Sequence, residues 1–446
     1  MTDLVHSYIR DNAESLIRRL FPLLEQPSIS AQNRGMEECA SLLAGQMKDL
    51  DIETSTIPTE GYPVVLGRLD LGAPVTLLLY GHYDVQPPEP LELWNSDPFR
   101  PEIRDGYIYC RGVADNKGQL FAHLMALHVL RAVGEKPACN LLFLFEGEEE
   151  IGSPNLPGFV RAHAQRLKAD GVLTADGTMT STGNPLIMPG LKGILGVELV
   201  CRGANQDVHS AKADIVPSPA WRLVQALASM RTPRGLVTID GFYDDVLPLT
   251  GRERELLEDL PDDSPFQKDL LGLDSLLPVA DDEGYHIART KPTFNISGIF
   301  SGYTGEGFKT VLASEATARL DIRLAPDQDP EDILSKIRQH LDTKGYGDME
   351  LHVKHSCPPS YTDVDHPFVQ MAARAAGEAF GRSPWIYPKV IGSGPDWLWT
   401  KILGLPSVIV PYAGADSSTH APNEKMSVEN YLQGILFSAT LFSGLG

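Results

Sequence analysis

Five turns that follow predicted strands carry acidic or histidine side chains, which are residue types suited to metal binding and acid–base chemistry. These turns contain His82 with Asp84, Asp115, the run Glu146-Gly147-Glu148-Glu149-Glu150, Asp176, and His420. Ligand sites of open parallel sheets lie outside the carboxyl ends of the strands. We therefore expect the five turns to converge at one edge of a sheet.

The charges of these side chains predict a dinuclear metal site. Several carboxylates and two imidazoles in one place would repel one another unless cations offset their charge. Carboxylates and neutral imidazoles are ligands of Zn²⁺ and Mn²⁺, and one carboxylate shared by two ions is a recurrent design in hydrolases. Extended backbone places His82 and Asp84 on the same side, so Asp84 is expected to bond the His82 nitrogen that faces away from the metal.

The run Glu146-Gly147-Glu148-Glu149-Glu150 has two interpretations. A solvated charged face is the usual explanation of three consecutive glutamates. This run, however, directly follows the predicted buried strand 141–145, and Gly147 and Gly152 provide a flexible turn. The position favours a functional site, although the spacing alone does not indicate which glutamates act in it.

Hydrophobic periodicity indicates the elements that position these turns. Apolar residues recur at helical spacing within 15–24, 39–50 and 119–133, whereas short continuous apolar runs occupy 63–69, 75–80, 141–145 and 171–174. Buried strands that alternate with amphipathic helices predict an α/β domain with a mainly parallel sheet covered on both faces.

The pattern changes from about residue 192. Residues 193–202 and 313–324 alternate like strands buried on one face, and helical patterns occupy 219–230 and 329–341. We predict an α+β domain at 192–357 that is inserted into an α/β domain formed by 1–191 and 358–446. A chain of 446 residues is long enough for two such domains.

The composition excludes several classes of protein. A net charge of −21 argues against a nucleic-acid binder, because phosphate backbones require a basic surface. The longest apolar runs are too short to cross a membrane, and residues 1–10 do not resemble a secretion signal, so we expect a cytoplasmic protein.

The five cysteines form no CxxC pair and are expected to be reduced and buried. Residues 240–286 contain 14 acidic and three basic residues, which predicts a mostly solvated surface insertion.

In this combination and order, from Tyr80 to His420, the motifs resemble the M20 family of metallopeptidases, and most closely its dipeptidase branch, which includes carnosinase-like enzymes. The resemblance implies two divalent ions, with Zn²⁺ favoured and Mn²⁺ or Co²⁺ as alternatives. The implied ligands are His82, Asp115 and Asp176 for one ion, and Asp115, Glu150 and His420 for the other.

The resemblance also assigns roles around these ligands. Asp115 bridges the two ions, Glu149 is the catalytic general base, and Asp84 supports His82. The family has a cis peptide bond after its bridging aspartate, which implies a cis bond between Asp115 and Asn116.

Further residues match substrate contacts of the family. His209, in Asp207-Val208-His209-Ser210, matches a lid histidine that reaches the active site of the partner subunit, which implies a homodimer. Arg323 matches a clamp for a substrate carboxylate, a task that suits the fork of its guanidinium. Thr310, His355 and Ser393 align with other contacts. The alternative for each is an ordinary structural role: a lone histidine is often a hydrogen-bonded surface or core residue, and Arg323 alternates outward on a strand, where a solvated charge is common.

Two stretches depart from the family pattern. The carnosinase-like Glu-Gly-Gly-Ser-Ile-Pro stretch, whose acidic residue helps to hold a free amino group, is replaced by Val390-Ile391-Gly392-Ser393-Gly394-Pro395. An apolar residue at this position favours an N-blocked or hydrophobic acyl part of the substrate. Ala211 and Lys212 follow the lid motif where a glycine is common, which changes the pocket but not the metal site.

The leading hypothesis is a dinuclear metal-dependent amide hydrolase that cleaves dipeptides or N-acyl amino acids with a free carboxylate. Metal-activated water attacks the amide, and Glu149 acts as the base. The alternative is a non-catalytic metal- or peptide-binding homologue of the same fold, against which the presence of Glu149, Asp115 and His82 argues. The sequence contains no GxSxG or HExxH motif, so serine hydrolysis and a helical zinc-protease site are poorly supported.

Overall fold

A computed structural model describes residues 2–389 and 392–445, and the chain forms two compact units. Unit 1 comprises Met1–Gly190, Thr362–Pro388 and Leu398–Gly446, and unit 2 comprises Leu191–Tyr361 and Lys389–Trp397. The segment Lys389–Trp397, which the sequence-based division assigned to the first domain, thus groups with unit 2.

Unit 1 is an α/β unit. Its strands are β1 (Glu53–Ile57), β2 (Val64–Leu69), β3 (Thr76–His82), β4 (Glu102–Arg104), β5 (Tyr107–Tyr109), β6 (Asn140–Glu146), β7 (Gly171–Thr174), β8 (Leu186–Ile187), β15 (Trp385–Ile386), β16 (Ser407–Ile409) and β17 (Lys425–Ser427). Its helices are α1 (Thr2–Asp11), α2 (Ala13–Glu25), α3 (Met36–Lys48), α4 (Lys117–Ala132), α5 (Leu156–His163), α12 (Pro367–Phe380) and α13 (Val428–Gly444).

A six-stranded sheet forms the centre of unit 1, with the spatial order β1-β2-β6-β3-β7-β16. Strand β3 runs parallel to β6 and β7, and β16 runs parallel to β7. Strand β2 runs antiparallel to both of its neighbours, β6 and β1. Every residue of β6 is buried, as expected for a strand covered on both faces. The prediction of a mainly parallel α/β sheet is confirmed.

Unit 2 is an α+β unit. Its strands are β9 (Gly193–Arg202), β10 (Val208–His209), β11 (Thr293–Ser301), β12 (Val311–Leu312), β13 (Glu315–Leu324) and β14 (Glu350–Cys357). Its helices are α6 (Pro219–Met230), α7 (Gly251–Glu258), α8 (Ser264–Leu271), α9 (Pro278–Glu283), α10 (Tyr285–Arg289) and α11 (Pro330–Thr343).

The main sheet of unit 2 is antiparallel, with the order β11-β13-β9-β14. In β13 the apolar residues of alternate positions, such as Leu320 and Ile322, are buried, whereas Arg319 is exposed. Helices α6 and α11 pack on this sheet and supply Leu223 and Ile337 to the core. The alternation identified in the sequence therefore corresponds to a sheet with one covered face.

The acidic stretch 240–286 differs in one respect from the solvated insertion that we expected. Glu253, on α7, is completely buried, and its carboxylate lies 3.4 Å from the Nζ of Lys389, which is also buried. The hydroxyl of Tyr361 donates to the same carboxylate at 3.1 Å, and Glu253 also closes a capping box with Thr250. One acidic residue of the stretch is thus an internal anchor, because a buried charge requires a paired partner.

The five cysteines are free and buried, as predicted. Within 2–389 and 392–445, none of the helices combines the length and the apolar character that crossing a membrane requires.

His123 lies on α4 where this helix packs against α13. Its imidazole is buried, and Nδ1 lies 3.0 Å from the hydroxyl of Ser438. Burial lowers the pKa of His123 to about 3, so the ring is neutral in the folded protein at pH 7.

We predict that His123 makes stability fall as the pH decreases. In the unfolded chain a histidine has a pKa of about 6.5, so between pH 6.5 and 3 the unfolded state binds the additional proton. Between pH 7 and pH 5 this difference lowers the free energy of unfolding by about 2 kcal/mol. Replacing His123 by Leu should abolish this part of the decrease. Urea unfolding of the full chain at both pH values measures this difference. Ser438→Ala, which keeps the imidazole, should retain the wild-type pH dependence, and an unchanged dependence in His123→Leu would contradict the prediction.

Candidate active site

The topology of unit 1 brings the predicted site turns together. His82 ends β3, Glu149 and Glu150 follow β6, and Asp176 follows β7. These three strands are parallel neighbours, so their carboxyl ends lie at one edge of the sheet. Asp115 lies just before α4, and its turn reaches the same edge.

The first group of possible metal ligands consists of His82, Asp115 and Asp176. The Nε2 atom of His82 lies 3.1 Å from Oδ1 of Asp115 and 3.7 Å from Oδ2 of Asp176. One ligand atom of each residue lies within 4.8 Å of those of the other two. A single cation would contact all three residues.

The second group consists of Asp115, Glu150 and His420. The Nε2 atom of His420 lies 3.0 Å from Oδ2 of Asp115 and 3.3 Å from Oε2 of Glu150. Asp115 therefore belongs to both groups and directs a different oxygen toward each histidine.

The donor set and its hydrogen bonding fit two divalent cations. Histidine nitrogens and carboxylate oxygens are suitable ligands for zinc and manganese. In the part of the chain that the structure describes, Nε2 of His82 and Oε1 of Glu150 are buried and form no hydrogen bond. Buried polar atoms without such a partner are rare in proteins, and a metal ion would satisfy both.

The electrostatics of the site also indicate a requirement for cations. Burial raises the pKa of Asp176 to about 6, and the charge of Asp115 adds to the shift. Although burial favours its neutral acid, the adjacent imidazoles of His420 and His82 hold the pKa of Asp115 below its usual range. Hydrogen bonds to Asp115 and Glu150 raise the pKa of His420 to about 10. Bound cations would replace these protons as the counter-charge.

Glu149 is part of the same electrostatic cluster. Burial raises the pKa of its carboxyl well above the usual value, and the negative charges of Asp176, Glu150 and Asp115 act in the same direction. A carboxylate in such surroundings accepts a proton more readily than one in water.

Asp84 connects two of the site turns. Its buried carboxylate lies 3.3 Å from Nδ1 of His82, on the ring side opposite the metal group, and the backbone carbonyl of Asp84 lies 3.1 Å from the same nitrogen. The same carboxylate accepts hydrogen bonds from the backbone N–H groups of Glu149, at 3.2 Å, and Glu150, at 3.0 Å. Sequence analysis missed these backbone contacts.

Two buried amides connect the turn of Asp115 with that of Asp176. Asn116 donates to the carbonyl of Ala175 at 2.6 Å, and Gln119 donates to the carbonyl of Gly177 at 3.1 Å. The backbone carbonyls of the residues before and after Asp176 are thus both fixed by hydrogen bonds. The peptide bond between Asp115 and Asn116 is cis, as the family resemblance implied.

The predicted substrate contacts in unit 2 form two pairs and one separate residue. Nη1 of Arg323 donates to the hydroxyl of Ser393 at 2.8 Å, and the hydroxyl of Thr310 lies 3.4 Å from Nε2 of His209. His209 is exposed, and its Nδ1 accepts the backbone N–H of Ala211. His355 is exposed on β14.

The departures from the family pattern at Val390 and Ile391 lie outside the described residues. The hypothesis of an N-blocked substrate therefore rests on the sequence alone.

A mainly parallel α/β unit with two carboxylate–histidine groups that share an aspartate is typical of dinuclear metal-dependent hydrolases. Residues 78–443 match the sequence profile of peptidase family M20/M25/M40, and the chain belongs to this family of metallopeptidases.

Several relatives in this family are dipeptidases. The chain is 27% identical over 464 residues to a Cys-Gly metallodipeptidase of Schizosaccharomyces pombe, a match that covers 98% of this chain and 97% of the relative. It is also 27% identical to human Beta-Ala-His dipeptidase, over 95% of this chain and 85% of that protein.

Solved structures show the same fold. The M20 family metallo-carboxypeptidase Sso-CP2 of Sulfolobus solfataricus has a TM-score of 0.86 at 35% identity, covering 96% of this chain and 98% of the other. Human carnosine dipeptidase 1 has a TM-score of 0.80 at 24% identity, with coverage of 99% and 98%. The latter similarity concerns the fold only.

Proposed function

We propose that the protein is a dinuclear metal-dependent hydrolase that cleaves the amide bond of dipeptides or N-acyl amino acids with a free carboxylate. The observation that carries this proposal is the shared carboxylate of Asp115, which links the two groups of possible ligands. Membership in a metallopeptidase family with dipeptidase relatives supports the same reaction class.

In this proposal, His82, Asp115 and Asp176 hold one divalent cation, and Asp115, Glu150 and His420 hold the other. When bound, the two cations lower the pKa of water and polarise the carbonyl group of the substrate amide. Zn²⁺ is the favoured metal because histidine nitrogens contribute to both groups, and Mn²⁺ and Co²⁺ are the alternatives.

Glu149 moves the proton in this reaction. Its carboxylate takes a proton from the attacking water and transfers it to the leaving nitrogen, so the base of the first step is the acid of the second. The raised pKa of Glu149 favours holding the proton between these steps. Asp84 keeps Glu149 in place because its carboxylate accepts a hydrogen bond from the backbone N–H of Glu149.

Replacing Glu149 by Gln tests the proton transfer. The amide cannot accept the proton, so kcat should fall about 10²- to 10⁴-fold. The metal content, measured by mass spectrometry of the purified protein, should stay at the wild-type value because Glu149 belongs to neither ligand group.

Glu148→Gln is the matched control for this experiment. Glu148 lies in the same acidic run, but its carboxylate accepts hydrogen bonds from Asn155 and from the backbone of Tyr62. The amide oxygen of glutamine can accept these bonds, so Glu148→Gln should keep most of the activity. Wild-type kcat in Glu149→Gln would contradict the role of Glu149.

Arg323 is the proposed clamp for the carboxylate of the substrate. Its guanidinium donates to Ser393 through Nη1, and Nε lies 3.5 Å from Oδ1 of Asp321, which leaves the N–H groups of Nη2 for a substrate carboxylate. Hydrogen bonds to charged groups contribute about 1.5–3 kcal/mol, so amidating this carboxylate should lower kcat/KM of the wild type roughly ten- to hundredfold.

In Arg323→Met, free and amidated substrates should be cleaved with similar kcat/KM. The control is Arg319→Met, on the same strand, because Arg319 is exposed and paired with Glu198. It should preserve the wild-type preference. Preference for the free carboxylate in Arg323→Met would contradict the clamp. The same substrates, prepared as N-acyl amino acids and as unblocked dipeptides, test the hypothesis of an N-blocked substrate that is based on Val390 and Ile391. A preference for unblocked dipeptides would overturn it.

We also propose that the chain forms a homodimer through unit 2. Strand β11 lies at an edge of the four-stranded sheet, where unpaired backbone groups are available to another strand. Exposed apolar side chains on β11 and α6, among them Phe300 and Trp221, would be covered by a second copy.

The free, buried cysteines favour a reducing compartment such as the cytoplasm.

Mixing two inactive variants tests whether His209 acts on the active site of the partner. His209→Ala and Glu149→Gln are each expected to have very low activity. In a mixed dimer, the His209→Ala subunit retains Glu149 and would receive His209 from its partner, so activity should reappear after subunit exchange. No recovery, with mixed dimers verified by mass spectrometry, would contradict a role of His209 in the partner's site.

A further inference from the structure

A buried carboxylate that belongs to neither group of possible metal ligands lies directly behind the shared aspartate. Glu424 is completely buried and precedes β17. Its Oε1 accepts hydrogen bonds from the backbone N–H groups of Ala114, at 2.8 Å, and Asp115, at 3.0 Å. Its Oε2 accepts from the backbone of Gly112, at 3.0 Å, and from Nη1 of Arg111, at 2.7 Å.

This carboxylate satisfies much of the hydrogen-bonding capacity of the turn that carries Asp115. Buried backbone N–H groups require acceptors, and in this turn one side chain serves three of them. Arg111, which is also buried, balances the charge of Glu424 and lies over the ring of Trp94 at 5.3 Å.

Glu424 also fixes the loop that carries His420. It lies four residues after His420, and its backbone carbonyl accepts the N–H of Cys110 at 3.2 Å. The loop of His420 and the turn of Asp115 are therefore joined through both the side chain and the backbone of one residue. The 3.0 Å distance between His420 and Asp115 is the contact that this junction supports.

We propose that Glu424 is a positioning residue for the dinuclear site, which holds the turn 112–115 so that Asp115 presents one oxygen to each group of ligands. The inference rests on the proposed function only in taking the two groups to bind divalent cations. Since Asp115 belongs to both groups, a displaced turn weakens the binding of both ions.

Glu424→Gln is the direct test. In glutamine an NH₂ group replaces one carboxylate oxygen, so N–H groups face two of the N–H donors that now bond to Glu424. Arg111 also loses its counter-charge. Mutation of a residue that supports a metal ligand typically lowers metal affinity by about ten- to hundredfold. Titration of the metal-free full chain with Co²⁺, followed by visible absorption, should show both affinities lowered by such a factor.

Two comparisons make this result specific. In His420→Ala only one Co²⁺ affinity should fall strongly, because His420 belongs to a single group. In Glu146→Gln both affinities should stay at the wild-type level. Glu146 is another buried carboxylate of unit 1, but it accepts hydrogen bonds from the hydroxyls of Tyr80 and Ser153, which an amide oxygen can also accept.

Glu424→Asp keeps the test valid if the Gln variant does not fold. It retains the charge opposite Arg111 and shortens the side chain by one methylene, so it should fold and bind both ions more weakly. Circular dichroism and thermal unfolding of the metal-free variants report folding separately. A folded variant with lower thermal stability but wild-type affinity for both ions would overturn the proposal, because Glu424 would then be merely structural.

Amide hydrolysis by the wild type distinguishes this inference from the proposed function. If the wild type binds two Co²⁺ ions but cleaves no amide, the proposed function fails, whereas weaker binding in the Glu424 variants still supports the positioning role. If the wild type cleaves amides and folded Glu424 variants bind both ions normally, only the positioning role fails.

Discussion

Asp115 has to direct one oxygen toward His82 and the other toward His420, and most of the polar contacts around the site serve this arrangement. Its carboxylate interacts with the histidines on one side, while its backbone N–H is bonded to Glu424 on the other. The next residue, Asn116, bonds the turn of Asp176. A shift of this short turn would therefore disturb both groups of possible metal ligands.

The site concentrates negative charge in a way that protein groups alone offset only in part. Burial raises the pKa of Glu149 and Asp176, which means that their charged forms are disfavoured without a counter-charge. Burial also raises the pKa of Glu424, but this carboxylate has a counter-charge within the protein, the guanidinium of Arg111. The formal net charge of −21 thus includes surface charge, ion pairs inside the fold, and carboxylates whose charge two cations would balance.

The sequence predicted the elements and residues that have local signals. Strand β6 was evident because buried parallel strands are continuously apolar, and α4 because its apolar residues recur at helical spacing. His82 and Asp176 were recognised because they follow parallel strands whose ends meet, whereas Asp115 lies just before α4 and not at the end of a strand of the central sheet. The dinuclear assignment of individual ligands, in contrast, depended on the family resemblance.

The residues that hold the site in place were missed because their contacts join distant parts of the chain. Glu424 and Asp115 are 309 positions apart, and Gln119 reaches a carbonyl 58 positions away. Such contacts leave no periodic pattern. The same reason explains Glu253, which appeared to be one of many solvated acidic residues but pairs with Lys389 at a separation that composition does not reveal.

The most direct test of the account is the dependence of amide hydrolysis on the number of bound cations. Metal-free protein is titrated with Zn²⁺ while the bound ions per chain and the cleavage of an N-acyl amino acid are recorded together. Full activity is expected when two ions are bound per chain, and chelation should abolish it. Wild-type hydrolysis by the metal-free protein would contradict this expectation.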